Sequence, residues 1–169
     1  MPVEKNKEYV VEIIDNGFEG EGIAKINDFT IFVPNAIKGE KVKILIVKVL
    51  KSYGYGKIID LLEKSIDRVK SDCDTYKRCG GCSLRHIKYE KTLEMKRNAV
   101  QSLVNKFLKN KIEVQKTLGM ENPYYYRNKA QYPVGKNSEG KAQIGVFANR
   151  THKIIPIQEC YIQNKKSQE

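Results

Sequence analysis

The sequence contains no run of eighteen apolar residues, so nothing in it reads as a membrane-spanning helix. Its first residues, Met1-Pro2-Val3-Glu4-Lys5, lack the apolar stretch of a secretory signal. Cysteine is scarce, with four in 169 residues, which excludes a small disulfide-dense scaffold. Thiols left available as ligands fit a reducing compartment, and a cytoplasmic monomer is expected. Also missing after residue 112 is any strand, glycine-rich turn and helix of the kind that cradles a dinucleotide-like cofactor. The length suffices for one ordinary domain or two small ones.

What the first part of the chain lacks is net charge. Residues 1–62 hold 9 Lys and 9 Asp+Glu, a net charge of zero. Residues 63–169 hold 22 Lys+Arg and 11 Asp+Glu, so they carry the whole +11 of the protein. A polyanion such as RNA is the natural partner of that second part. A lysine-rich surface that only keeps the protein soluble is the plainer alternative.

Residues 7–62 read as all-β. Tyr9, Val11 and Ile13 alternate with Val10, Glu12 and Ile14, which is the period of a strand. Asp15-Asn16-Gly17, Asn27-Asp28 and Ile37-Lys38-Gly39-Glu40 read as turns, and Pro34 ends a strand. A long strand is expected over Lys41–Leu50, a break at Tyr53-Gly54-Tyr55-Gly56, and a last strand over Lys57–Leu62. Five short strands with glycine-rich turns suggest a small closed barrel of the OB type. Gly17–Gly22 leads into another strand rather than a helix, so its glycines serve a hairpin and not a phosphate loop. OB barrels stack unpaired bases on aromatic rings beside a basic groove, and Lys41, Lys43, Lys48, Lys51, Tyr53 and Tyr55 are the local candidates.

Three cysteines lie in one stretch, Cys73, Cys79 and Cys82, spaced C-x5-C-x2-C, with Gly80-Gly81 letting the backbone fold tightly. Cys160 is the one other sulfur able to complete a four-thiolate site. Such a site suits structural zinc or an iron–sulfur cluster, and the spacing leaves both open. His86 follows as C-x2-C-x3-H, either a zinc ligand or a hydrogen-bonding neighbour of the thiolates. A helix is expected from about Ile87 to Leu108, with Tyr89, Leu93, Val100, Leu103, Val104 and Phe107 as its apolar stripe.

From about residue 112 the pattern returns to β. Tyr124–Tyr132 reads as a strand with Tyr124, Tyr126, Asn128, Ala130 and Tyr132 on one face and Arg127, Lys129 and Gln131 on the other. Gly135–Gly140 reads as a hairpin turn, Gln143–Phe147 as its return strand, and His152–Ile157 as a further strand leading to Cys160.

The run Cys79-Gly80-Gly81-Cys82-Ser83-Leu84-Arg85-His86, with Cys73 before it and Cys160 after it, resembles the RNA uracil-5-methyltransferases of the 23S rRNA type. Members carry C-x5-C-G-G-C-x-L-Q-H, and Arg85 stands here where Gln is usual. The resemblance runs from about residue 7 to about 164. It implies a TRAM domain, an OB-like RNA-binding module, over residues 1–63, and an incomplete iron–sulfur central domain over residues 64–169. It implies a [4Fe-4S] cluster held by Cys73, Cys79, Cys82 and Cys160. It also implies RNA contacts near Tyr-Arg-x-Lys, hence Arg127 and Lys129; Gln131, Lys51, Tyr53 and Arg85 join them as candidates read from the residues themselves. In the family a cysteine thiolate adds to uracil C6, and C5 then takes the methyl group of S-adenosyl-L-methionine. With all four cysteines assigned to the cluster, no nucleophile remains. The expected fold is therefore α+β and mostly β, lacking the Rossmann-like methyltransferase domain and inactive alone. The expected partner is 23S rRNA, with tRNA possible. The alternative is a free-standing, non-catalytic RNA-binding protein with iron–sulfur or zinc.

Overall fold

The computed structural model of the chain describes residues 3–108, 112–149 and 151–168. It is mostly β with one helix, in two compact units. One comprises residues 1–69 and 86–117, the other residues 70–85 and 118–169.

The first unit is a six-stranded sheet. Its strands are β1 (Glu8–Glu12), β2 (Asp15–Asn16), β3 (Gly22–Ile26), β4 (Phe29–Val33), β5 (Lys41–Val49) and β6 (Tyr53–Glu63). They run in the order β1-β5-β6-β4-β3-β2, antiparallel except for the β4–β6 pair. Asn27 and Asp28 both take positive φ, 49° and 64°, which matches the strand twist and makes the β3–β4 hairpin tight. Ile31, Val33, Val42, Ile44 and Ile46 alternate inward along β4 and β5 and are fully buried. Ile13 and Ala24 complete this core.

Two expectations need correction here. No strand pairing among the described residues joins β1 to β2, so the sheet is open where a closed barrel was expected. Tyr53-Gly54-Tyr55-Gly56 does not break a strand; it begins β6. Gly54 and Gly56 face the core, where an added Cβ would lie 3.1 Å from Ile31 Cδ1 and 2.8 Å from Ile44 Cδ1 respectively. The glycines are there to admit neighbouring side chains, and the tyrosines between them turn to the other face.

Beyond β6 the chain is tied to the sheet by a buried ion pair. Glu40 is 0% exposed, and Arg68 donates to both of its carboxylate oxygens, Nε to Oε1 at 2.5 Å and Nη2 to Oε2 at 2.7 Å. The backbone N–H groups of Ile37 and Ser65 donate to the same carboxylate at 2.8 and 3.2 Å. Arg68 then pairs with Ile87 in an isolated antiparallel bridge. The chain thus leaves this unit after Val69 and returns at His86, whose carbonyl accepts from Val69 N–H at 2.9 Å.

His86 is 5% exposed, and the charges acting on it are those of Arg68 and Glu40. Burial first, and the Arg68 cation second, hold its pKa down at about 4, against 6.5 ordinarily. Between those two values the unfolded chain binds a proton that the folded chain refuses, so stability falls as pH drops through that window. We expect a loss of about 3 kcal/mol between pH 7 and pH 4, measured by urea unfolding. A His86→Gln variant should show a flatter profile, and an equally steep one would refute the assignment.

The helix α1 (Tyr89–Phe107) forms where its periodicity places it. The extended residues 112–117 lie along it: Arg97 Nε donates to Val114 O at 2.7 Å, Val114 N–H to Gln101 Oε1 at 2.8 Å, and Thr117 Oγ1 to Leu93 O at 3.0 Å. The apolar stripe is only partly covered. The helix's one buried residue is Thr92, outside that stripe, and Phe107 is 71% exposed.

In the second unit, β7 (Val134–Lys136), β8 (Ala142–Phe147) and β9 (Ile154–Pro156) form an antiparallel sheet, with the expected hairpin turn between the first two. The strand expected over Tyr124–Tyr132 is absent. Tyr125 has a positive φ of 54°, which interrupts the extended backbone, and the segment makes only a single parallel bridge, Arg127 to Gln163. The two alternating faces read from the sequence therefore do not exist there.

Candidate functional site

The cysteine loop of the second unit is built on short backbone turns. Tyr76 N–H donates to Cys73 O at 3.1 Å and Cys79 N–H to Thr75 O at 2.8 Å. Cys79 bridges Ala148, and Gly80 N–H donates to Phe147 O at 3.1 Å, which fixes the C-x2-C turn to the end of β8. A Cβ on Gly80 would lie 3.2 Å from Asn149 Cα, so this close approach of two backbones explains the glycine. Gly81 N–H points at Cys79 Sγ, 3.2 Å away.

Cys160 arrives from the far side of the sequence. Its backbone is clamped by Gln168, whose Oε1 accepts from Cys160 N–H at 2.6 Å and whose Nε2 donates to Cys160 O at 3.0 Å. All four cysteines are free thiols, and all four line one small cavity of about 30 Å³ together with Val146, Ile157 and Ile162. Burial pushes the Cys82 thiol up and Arg85 pulls it down, while Cys79, Cys160 and Cys73 each push it up further. Four thiols that sense one another in a partly apolar pocket are a soft donor set that repels itself once ionised, and a cationic metal centre relieves that repulsion. Among the described residues no group of three or more His, Cys, Asp or Glu side chains has the arrangement of a metal-ion site.

Arg85 is part of this pocket's wall. Its side chain is 14% exposed; Nη2 and Nε donate to Asp72 Oδ1 at 2.5 and 3.1 Å. Its guanidinium also lies over the rings of Tyr124 and Tyr161, 5.1 and 5.5 Å from their centroids. Burial opposes the charge on Asp72, but the hydrogen bonds from Arg85 and Tyr124 prevail and hold its carboxyl below the usual range.

Of the residues proposed from the sequence, the structure brings together Cys73, Cys79, Cys82, Cys160 and Arg85. Arg127, Lys129 and Gln131 are exposed along the irregular segment of the same unit, where Arg127 N–H donates to Ile162 O at 2.9 Å. Lys51 and Tyr53 belong to the other unit, at the β5–β6 turn. Sequence reasoning missed Phe32, whose ring centroid lies 5.5 Å from that of Tyr53 and 5.9 Å from that of Tyr55. The signal was the Tyr-Gly-Tyr-Gly alternation, which is the period of a strand and not a break.

Residues 2–59 match the TRAM domain family. Over its full length the chain is 47% identical to a Clostridium acetobutylicum protein described as an uncharacterized RNA methyltransferase, of which it covers 37%. A Clostridium tetani protein with the same description is 47% identical over 99% of the chain, which covers 36% of that relative. The chain thus spans little more than a third of the length of the curated relatives it matches. Among solved structures, 94% of the chain superposes on 34% of a Pyrococcus abyssi tRNA (uracil-54, C5)-methyltransferase in complex with S-adenosyl-L-homocysteine, with a TM-score of 0.56 and 24% identity. That likeness is one of fold.

Proposed function

We propose that this chain, whose residues 2–59 match the TRAM domain and which is similar over its length to proteins described as RNA methyltransferases, supplies the RNA-binding and cysteine-bearing portion of an enzyme forming 5-methyluridine in RNA. The substrate in this reading is 23S rRNA, and the methyl donor is S-adenosyl-L-methionine. The observation that carries it is the sharing of one cavity by four thiols from distant parts of a sequence whose residues 63–169 hold the entire +11 charge.

Cys73, Cys79, Cys82 and Cys160 would hold a [4Fe-4S] cluster, for which soft thiolates are the fitting donors. Bound there, the cluster would act as a cross-link, tying the early loop to the Cys160 segment and closing a long stretch of chain. With every cysteine so engaged, the thiolate that adds to uracil C6 and the methyl-donor site belong to residues outside this span.

For RNA, the exposed Arg127, Lys129 and Gln131 are assigned to phosphates and base edges, and Lys51 and Tyr53 to a second contact on the TRAM domain. Arg85 is left out of this set because its guanidinium is held by Asp72 and two rings. The test is fluorescence anisotropy with a 23S rRNA fragment and a tRNA transcript across a salt series. Affinity should fall steeply with salt, and Arg127→Ala and Lys129→Ala should each reduce the slope by roughly 0.7–0.9. Absence of salt-dependent binding to either RNA would sink the proposal, and tighter binding to tRNA would replace its substrate.

A further inference from the structure

Residues 1–62 as a whole are electrically neutral, yet their charge is sorted in space. At one end of β5, Lys43 is paired with Glu8 and Lys41 with Glu63; Lys38 is paired with Asp15. Glu40 is neutralised by Arg68. Among the described residues, no carboxylate forms an ion pair with Lys25, Lys48, Lys51 or Lys57. All but Lys51, which lies in the β5–β6 turn, are carried by strands around one small patch of the sheet.

Strand register defines that patch. Phe32 on β4 lies opposite Tyr55 on β6, Tyr55 lies opposite Lys48 on β5, and Thr30 lies between Tyr53 and Lys25 of β3. Residues opposite one another share a face, and so do residues two apart on one strand, which adds Lys57. The core side of the same strands carries Ile31, Gly54 and Gly56. Phe32 and Tyr55 are inclined by only 38° to each other, and Tyr53 stands at 82° and 78° to them, all with centroids within 5.9 Å. Two rings form a shallow platform, the third its wall, and none is fully buried.

We propose that Phe32, Tyr53 and Tyr55 form a stacking platform for unpaired RNA bases, with Lys25, Lys48, Lys51 and Lys57 holding the flanking phosphates. This rests on the RNA-binding reading above and names the ligand of its TRAM half: single-stranded RNA, not duplex. Ring faces take any base, and lysines on both sides of the rings, on β3 and β5, follow a strand running across the sheet. A duplex keeps its bases stacked inside and offers the rings nothing.

The experiment uses the whole chain with three labelled RNAs of equal length: an unstructured pyrimidine strand, a hairpin duplex, and the same strand with abasic positions. The wild type should prefer the unstructured strand, and removing its bases should weaken binding by about tenfold or more. Tyr53→Leu and Tyr55→Leu should produce a similar loss, while Tyr55→Phe, which keeps the ring, binds as the wild type does. Lys48→Ala and Lys57→Ala should each lower the salt slope by about 0.7. Thermal melting confirms that each variant is folded, and the abasic strand tests the same point with no variant at all. Equal binding of intact and abasic strands, or of strand and duplex, would overturn the platform while leaving RNA binding by Arg127 and Lys129 intact. A wild type that binds none of the three would overturn both readings.

Discussion

Replacing Arg68 with alanine is expected to lower folding stability by roughly 3–5 kcal/mol, the largest loss from any single surface-to-core ion pair in the first unit. The reason lies in Glu40, which is fully buried while its partner's side chain is 18% exposed. Burial by itself would raise the Glu40 pKa. The hydrogen bonds from Arg68, Ile37 and Ser65 and the Arg68 charge reverse that, and the carboxyl titrates below its ordinary value of 4.5. Without Arg68 the two backbone N–H donors remain but the counter-charge does not, so a buried anion is left uncompensated. Arg68 also donates to Asn35 O at 2.7 Å, a second tie between the linker and the β4–β5 connection.

The pH dependence distinguishes this cause from a simple packing loss. Because the folded pKa of Glu40 is depressed, the wild-type pair contributes stability above pH 4.5 that disappears as pH falls through the lower folded value. In Arg68→Ala the carboxyl should protonate more readily, so the gap between variant and wild type should narrow in acid. Replacing both residues together, Glu40→Leu with Arg68→Met, should cost much less than the single change, because no charge is left buried. Denaturant unfolding at pH 7 and pH 5 measures all three. A single-variant loss under about 1 kcal/mol would show that Glu40 finds another partner.

The second large effect is expected at the thiol cavity. Anaerobically purified protein should contain iron and acid-labile sulfide in the ratio of a [4Fe-4S] cluster, with its broad visible absorption. Cys160→Ser should lose iron and sulfide together, although Cys160 lies far from Cys73, Cys79 and Cys82 in sequence. The four thiols share one cavity, and a cluster missing one of four ligands is labile. The unfolding midpoint should fall with the cluster, since metal binding to the folded chain alone contributes to folding. One zinc per chain and no iron would end the cluster assignment. Iron retained in Cys160→Ser but lost in Cys82→Ser would remove Cys160 from the ligand set.

Much of this protein is written locally in its sequence. Asn27-Asp28 specifies a hairpin because those side chains tolerate positive φ, and Pro34 stops β4 because it cannot continue a ladder. The spacing of apolar residues over Tyr89–Phe107 specifies a helix, and C-x5-C-G-G-C marks a tight cysteine loop by its own composition. These signals are short-range, and the residues that carry them lie within one turn of one another.

Tertiary structure decided the rest. The parallel pairing of β4 with β6 joins segments separated by all of β5, and it alone places Phe32 beside Tyr53 and Tyr55. Tyr125 turns at a positive φ that its aromatic side chain does not favour, and three tyrosines in a row still read as a strand until that turn is seen. Glu40 reads as a turn residue, and only tertiary packing brings Arg68, 28 residues later, against it as a buried pair. Local propensity is set by neighbours in sequence. Which rings share a face, which charges are neutralised and which thiols share a cavity are set by long-range register and packing, and no short window of sequence contains them.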